Sequence, residues 1–463
     1  FNRDNGNYPY GLRIPGSADD FTQSYFDQFG NNPSLTPDEL ALIDRAANAP
    51  TRLIDRFRTF SISSEQGVIV PGDFASSGLD LNNNGREDCL DSFLGFNSLL
   101  EGNAFGLTGG CWNNVNGSPQ IYQDGAIAGN FNQFGGDGIH AIGFSPDWLT
   151  PDDDRLVINL SGRYDIADNV SFFAEAKFVD QSTDTFSVGT GFYDLLSVSP
   201  DNPFIPTALA PIADRGLFVT RAPTALGGSQ DTVEREVSRF VMGLEGEFDN
   251  GWGFEFSINR GQTNLTNFNR GATIVDRMFA AIDVTTDAGG NPVCRSEIDP
   301  TTSSPTTIFD LPLFDFGYFT FNPGDGSCVP YNILGGAQAA TQANRDWMQT
   351  TEIHKFTVEQ TAFQGLIDGE LPFGFDAGNV LFAAGTEFRI ERSSTRWGAL
   401  TRGECPLDTP DCAAGTLVSD LGAFRQTSLV FDPEFFVTNS QGDYSVWEMF
   451  GEAEIPLIIG EPD

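Results

Sequence analysis

Lysine and histidine are almost absent: Lys177, Lys355, His140 and His354 are the only ones in 463 residues. With 25 Lys+Arg against 64 Asp+Glu, the formal net charge is −39. No basic cluster is visible along the chain, which excludes a nucleic-acid partner, since such proteins gain affinity by neutralising phosphates with Lys and Arg. A His-based triad would have to use His140 or His354, and His354 sits in a β pattern beside Glu352 and Lys355, as a wall residue would. No HExxH, GxSxG, Walker loop or dinucleotide fingerprint is present, and the many carboxylates single out no acid/base couple, so the chain reads as a non-enzyme. No run approaches the ~18 consecutive apolar residues of a membrane helix. No signal peptide is visible and Phe1 is not a start Met, as expected of a mature or internal segment. What is there is apolar surface: 40% hydrophobic residues, 42 Phe, 51 Gly and 26 Pro, too aromatic for a disordered acidic tail.

Six cysteines fall into three sequence-local pairs, Cys89/Cys111, Cys294/Cys328 and Cys405/Cys412. Six allow 15 connectivities, and local pairing is the simplest. Each pair would close a loop rich in Gly, Pro, Asp, Asn or Thr, which belongs in an oxidising compartment. Zinc is the weaker alternative, because no CxxC pair exists.

From residue 154 onward, strands with two-residue alternation dominate. Leu156, Ile158, Leu160, Gly162 and Tyr164 oppose Asn159, Ser161, Arg163 and Asp165. Val170, Phe172, Ala174, Ala176 and Phe178 oppose Ser171, Glu175 and Lys177, and residues 166–169 make the two a hairpin. Phe240, Met242, Leu244 and Phe248 lead through Asp249-Asn250-Gly251 to Trp252, Phe254, Phe256 and Ile258. A less regular strand lies around 353–371, one carries Phe382, Ala384, Phe388 and Ile390, and the last carries Trp447, Met449, Ala453, Ile455 and Leu457.

A soluble sandwich would also alternate, but the connections differ sharply in length. Those at 168–169, 249–251 and roughly 372–378 are tight, whereas those at 183–231, 267–350 and 393–443 are very long. Outer-membrane barrels have short periplasmic turns and long extracellular loops, and Tyr164, Trp252 and Trp447 at strand ends suit aromatic girdles. The fold expected is all-β, an antiparallel transmembrane β-barrel segment over 151–463 with long extracellular loops.

Residues 1–150 form an extended, loop-rich region rich in Gly, Asn, Asp and Phe. One helix is marked by Thr36 as N-cap, Pro37 and Glu39, with Leu40, Ile43 and Ala47 as its stripe; a second, carrying Trp347 and Met348, is expected within 335–348. The sharpest motif spans 80–91 and fits a twelve-position calcium loop. Asp80, Asn82 and Asn84 would offer side-chain oxygens, Arg86 its carbonyl, and Asp88 and Asp91 would complete the shell, with Gly85 at the turn. Position twelve is Asp rather than Glu and no flanking helix pair is evident, so Ca2+ here would be structural; the alternative is an Asn/Asp-rich turn that binds nothing.

Several stretches carry a resemblance: 155–177 with its strand, D-N turn and F-A-E-A strand; Asp201-Asn202-Pro203-Phe204; 328–335; Gly369 to Pro372 with 382–389; and 448–457. Together with the loop around 80–91 they resemble the barrel region of TonB-dependent outer-membrane receptors, particularly those of sphingomonad-like alphaproteobacteria. The resemblance implies active uptake of a scarce nutrient such as a ferric siderophore or an oligosaccharide across the outer membrane of a Gram-negative bacterium. It also implies outer-membrane lipid around the barrel and the inner-membrane TonB complex as energy-transducing partner. Neither plug nor TonB box is recognisable, and seven strands cannot close a barrel of that size, so a partial barrel is expected. The alternatives are a calcium-stabilised extracellular adhesin or surface-array protein and, resting only on carboxylates and aromatics, a secreted glycan-acting enzyme.

Overall fold

The computed structural model describes residues 37, 58–60, 63–72, 78–91, 111–123, 126–127, 132–134, 136–140, 150–187, 193–221, 223–300, 317–336, 339–421, 428–430 and 437–457. Most of these lie in antiparallel sheet. Seven long strands form one sheet in sequence order: β1 Asp152–Ala167, β2 Val170–Ser187, β3 Ser229–Glu247, β4 Gly253–Thr273, β5 Gln349–Phe375, β6 Gly378–Arg396 and β7 Ser440–Glu454. Each pairs with its chain neighbours, and β1 and β7 are the two edges. Among the described residues no helix is long and apolar enough to cross a membrane.

The register turns alternation within strands into rows across the sheet. One row reads Gly162, Ala174, Met242, Ile258, Phe363, Phe388 and Trp447. One residue along each strand, on the other face, the row reads Arg163, Phe173, Gly243, Ser257, Gln364, Glu387 and Glu448. Nothing in the described chain covers the apolar face: Leu160 is 67% exposed, Tyr164 71%, Trp447 66% and Met449 68%.

The strands run further than their alternation. Beyond the apolar rows the same face carries Gln262, Glu359, Arg392 and Asp443 side by side, with Arg260 ion-paired to Glu359 at 3.2 Å. Both faces are polar there, so the sequence loses its period while backbone pairing continues. The long connections therefore shrink to 188–228, 274–348 and 397–439, and the irregular stretch around 353–371 becomes part of the longest strand. The third tight turn is shorter than expected, with Phe375 paired to Gly378 and Pro372 lying inside a register shift between Glu370 and Gly374. The last strand stops at Glu454, before Ile455 and Leu457.

At the end of the sheet with the long connections, these segments fold into one cap with its own core. A five-stranded sheet joins Tyr193–Val198 and Leu217–Arg221 to Val68–Pro71, Trp112–Val115 and Ser118–Ile121, so strands from before residue 150 pair with a segment that follows β2. The hairpin from Val115 to Ser118 turns through Asn116 (φ 51°) and Gly117 (φ 82°), the Asn-Gly signature of a tight two-residue turn. Ile69, Trp112, Leu217, Val219, Phe279, Ile333 and Val418 share one buried cluster. Helix α1, Val275–Ile282, follows β4 and is buried on nearly all sides. Helix α2, Gln342–Met348, is shorter than expected because Thr341, in a capping box with Asn344, starts it; Met348 is buried and Trp347 packs on Phe321. Of the N-terminal helix expected at 36–47, only Pro37 lies within the described residues, and it is helical.

Buried polar groups fix how the segments meet. Asp276 on α1 accepts from Phe319 N (2.9 Å), Thr320 N (2.8 Å) and Thr320 Oγ1 (2.8 Å). Arg277 donates to Thr320 O at 2.7 Å and Trp347 O at 3.1 Å. Arg221, 2% exposed, donates to Glu65 O at 3.2 Å and Ile333 O at 2.9 Å, joining the first part of the chain to the segment that follows β4. Asp276→Asn keeps the shape but turns an amide N–H toward donors. It should destabilise the cap by about 1–3 kcal/mol, read as earlier thermal loss of the tryptophan fluorescence signal while the β-sheet circular dichroism persists.

Candidate functional site

Two regions carry chemistry: the polar face of the sheet and the cap above it. On the polar face the register places Arg155, Arg163, Lys177, Arg235 and Arg239 on β1 to β3. Glu387, Glu391, Glu448 and Glu452 lie on β6 and β7, with Arg389 bridging Glu387 (2.9 Å) and Glu391 (3.0 Å). These five cations thus share one sector of the face, where Asp153, Asp165, Glu175, Asp231, Glu245 and Glu247 are interleaved with them, and β6 and β7 are mainly acidic. Arg163 pairs with Glu245, while Gln364 and Gln360 donate to Glu387 and Glu391. A cavity of about 380 Å³ opens in the sector of the five cations between Asn159, Ser161, Glu175, Lys177 and Arg239, within the size of small-ligand sites. Sequence reading found no basic cluster because these residues come from three strands and are joined only by the ladder.

The cap meets this face through Glu352 and His354. Glu352 accepts from Thr401 N and Oγ1, both at 2.9 Å. His354 Nδ1 accepts from Gly398 N at 3.0 Å, and the ring packs edge-on against Trp397 at 5.0 Å. That places His354 as a fixed wall residue beside a half-exposed indole. His140 lies in a short strand paired with Thr59.

Disulfides join Cys89 to Cys111, Cys294 to Cys328 and Cys405 to Cys412. The segment 80–91 is closed by its own hydrogen bonds. Asp80 accepts from Asn84 N (3.0 Å) and Gly85 N (2.8 Å). Asn82 and Asn84 present oxygens to backbone N–H groups, and their Nδ2 atoms donate to Asp91 Oδ2 at 2.7 and 2.8 Å. Arg86 lies 4.0 Å from Asp91. Asp88 points the other way, into the core, accepting from Leu81 N (3.0 Å) and from Trp112 Nε1 (2.8 Å). Burial pushes its pKa up against those two bonds. Asp80, Asn82, Asn84 and Asp91 therefore gather on one side, and Asp88 serves as the loop's anchor. Among the described residues no group of three or more His, Cys, Asp or Glu gathers as a metal site.

The stretches that carried the family resemblance are structural here. Asp201 pairs with Arg295 at 2.6 Å and accepts from Thr285 at 2.8 Å. Asn202 accepts from Phe204 N and donates to Ile282 O at the end of α1. Tyr331, Ile333 and Leu334 are core, and Tyr331 N donates to Ala281 O.

No protein-family model matches the chain, and no curated protein matches it. Among solved structures it is similar to the ferric-catecholate import receptor Fiu of E. coli K12 in its open form, with a TM-score of 0.29 and 10% identity over 68% of this chain and 35% of that one. It is also similar to the siderophore receptor PiuA of Acinetobacter baumannii, with a TM-score of 0.26 and 11% identity over 67% of this chain and 30% of that one. The chain spans about a third of the length of each.

Hydrogen bonding from Arg295 holds the Asp201 carboxyl below the ordinary carboxylate range. Its folded pKa is depressed, so its stabilising contribution is present above the unfolded value and is lost as pH falls through the folded one. Burial instead raises Asp276 and Asp283; their contribution is fullest below the ordinary range and declines as pH rises through their raised values. Asp201→Asn should therefore lower the cap's melting temperature at pH 7, with the difference from the parent chain closing as the buffer is acidified. A gap that stayed constant with pH would mean Arg295 does not hold a charged Asp201.

Proposed function

We propose that the chain forms part of the wall and the external cap of a TonB-dependent transporter in the outer membrane of a Gram-negative bacterium. In this reading the apolar face meets lipid, the polar face lines a water-filled lumen, and the cap receives a scarce small ligand, a ferric siderophore or an oligosaccharide. The inner-membrane TonB complex supplies the energy. The observation that carries the reading is the uncovered apolar face, which has members on all seven strands and gives way on β5 to β7 to the charged row of Glu359, Arg392 and Asp443. On β1 the band runs from Leu156 to Ile166, roughly 33 Å of strand, which at the ~40° tilt usual in such barrels gives about 25 Å of height, that of an outer-membrane band. An extracellular adhesin would have to cover this face with protein.

Adjacent residues on opposite faces test the reading. Phe363→Arg should cost about 2–4 kcal/mol of barrel stability, whereas Gln364→Arg, facing Glu387 in water, should be tolerated. Heat-modifiable gel migration and outer-membrane fractionation of the full-length protein read the result. Equal tolerance of both, in a protein soluble without detergent, would favour the adhesin.

For the loop 80–91 we propose a structural Ca2+ held by Asp80, Asn82, Asn84, the Arg86 carbonyl and Asp91, with Asp88 remaining on Trp112. Only two carboxylates would reach the ion, which suits the weak sites of extracellular modules. Tb3+ should give luminescence sensitised by Trp112, displaced by Ca2+ and lost in both Trp112→Phe and Asp80→Asn. Absence of sensitised emission from the parent chain would leave the segment as a self-closed turn.

A further inference from the structure

We propose that Lys177 and Arg239 form an oxyanion-binding subsite on the lumen wall, which takes a carboxylate-type group of the imported ligand. The inference rests on the polar face lining a lumen. The two cations are directly opposite each other on β2 and β3, and like charges in that position repel and weaken a sheet. Other like-charged pairs on this face are relieved by the protein. In the pair Glu245 and Glu255, Arg163 neutralises Glu245; in the pair Glu387 and Glu448, Arg389 and Gln364 bind Glu387. Lys177 and Arg239 have no such relief: among the described residues neither makes an ion pair, and the bond that Arg239 makes is from Nε to Asn259 Oδ1 at 3.1 Å. Its terminal guanidinium nitrogens and the Lys177 ammonium are left facing water.

The surroundings suit a ligand. Lys177 and Arg239 line the 380 Å³ cavity together with Asn159 and Ser161, which add neutral hydrogen-bonding groups, and with Glu175, one carboxylate against the two cations. Arg239 is opposite Gly261 on its other side, where an added side-chain carbon would meet nothing closer than Ser238 O at 4.0 Å. Packing therefore does not require glycine there, and an interior strand glycine leaves room for a ligand to approach. An Arg fork beside a Lys point charge matches a carboxylate by charge-assisted hydrogen bonds. In a chain of net charge −39, the subsite would attract anions locally that the molecule as a whole repels.

Citrate, titrated calorimetrically into the detergent-solubilised full-length protein at low ionic strength, is the probe, with its neutral triethyl ester as control. Citrate should bind and the ester should not. Lys177→Gln and Arg239→Gln should each weaken citrate by about tenfold or more, while Arg155→Gln, elsewhere on the same face, should leave it unchanged. Gly261→Val fits the open space and favours a strand, so it should fold normally and block binding. Equal binding of ester and citrate, unchanged affinity in Lys177→Gln and Gly261→Val, or no citrate binding by heat-modifiable parent protein would each overturn the subsite. Loss of heat-modifiable behaviour in the parent would instead overturn the transporter reading.

Discussion

The apolar face of the seven-stranded sheet has to be removed from water, and the rest of the structure follows from that requirement. A large apolar side chain left exposed forgoes roughly 1.5–3 kcal/mol relative to burial, and this face presents such residues on every strand. In the proposed transporter, lipid would satisfy the whole row at once without any side chain of the protein covering it. The opposite row can then be polar, and each strand can alternate with period two without a second sheet.

The cap follows the opposite rule. Its segments are too polar and too rich in turns to pack on lipid, and they are joined by a dense set of buried hydrogen bonds. Asp276, Arg277, Arg221 and Asn344 each bind backbone groups of another segment, so these four satisfy a connection's peptide groups as well as their own. Three disulfides add covalent closure where these connections fold back on themselves. A cap built this way is an ordered body that shares its lower boundary with the wall through Glu352 and His354. In the proposed transporter, a ligand that reaches the wall would pass half-exposed Trp397 at this boundary.

Charge is arranged against the average of the chain. Acidic residues dominate the chain, whereas on the polar face of β1 to β3 five cations nearly balance the carboxylates. The long-range field repels anions, whereas the short-range field at Lys177 and Arg239 favours them. At physiological ionic strength the Debye length is about 8 Å, so a solute at this face would respond mainly to the groups nearest it.

The seven long strands, their faces and the asymmetry between short turns and long connections were legible in the sequence, because a sheet with one apolar and one polar face is written as strict alternation. Strand ends were not legible: above the apolar rows both faces are wet, so composition there no longer reports pairing. The cap was legible only as cysteines and a helix near Trp347, since its five-stranded sheet depends on pairing Leu217–Arg221 with Val68–Pro71, more than a hundred residues away. Asp88 looked like a ligand by spacing, and tertiary packing turned it onto Trp112. The cation pair was invisible, because Lys177 and Arg239 are far apart along the chain and become neighbours only through hydrogen-bond register. Local period is a property of sequence; adjacency across a sheet is decided by the ladder.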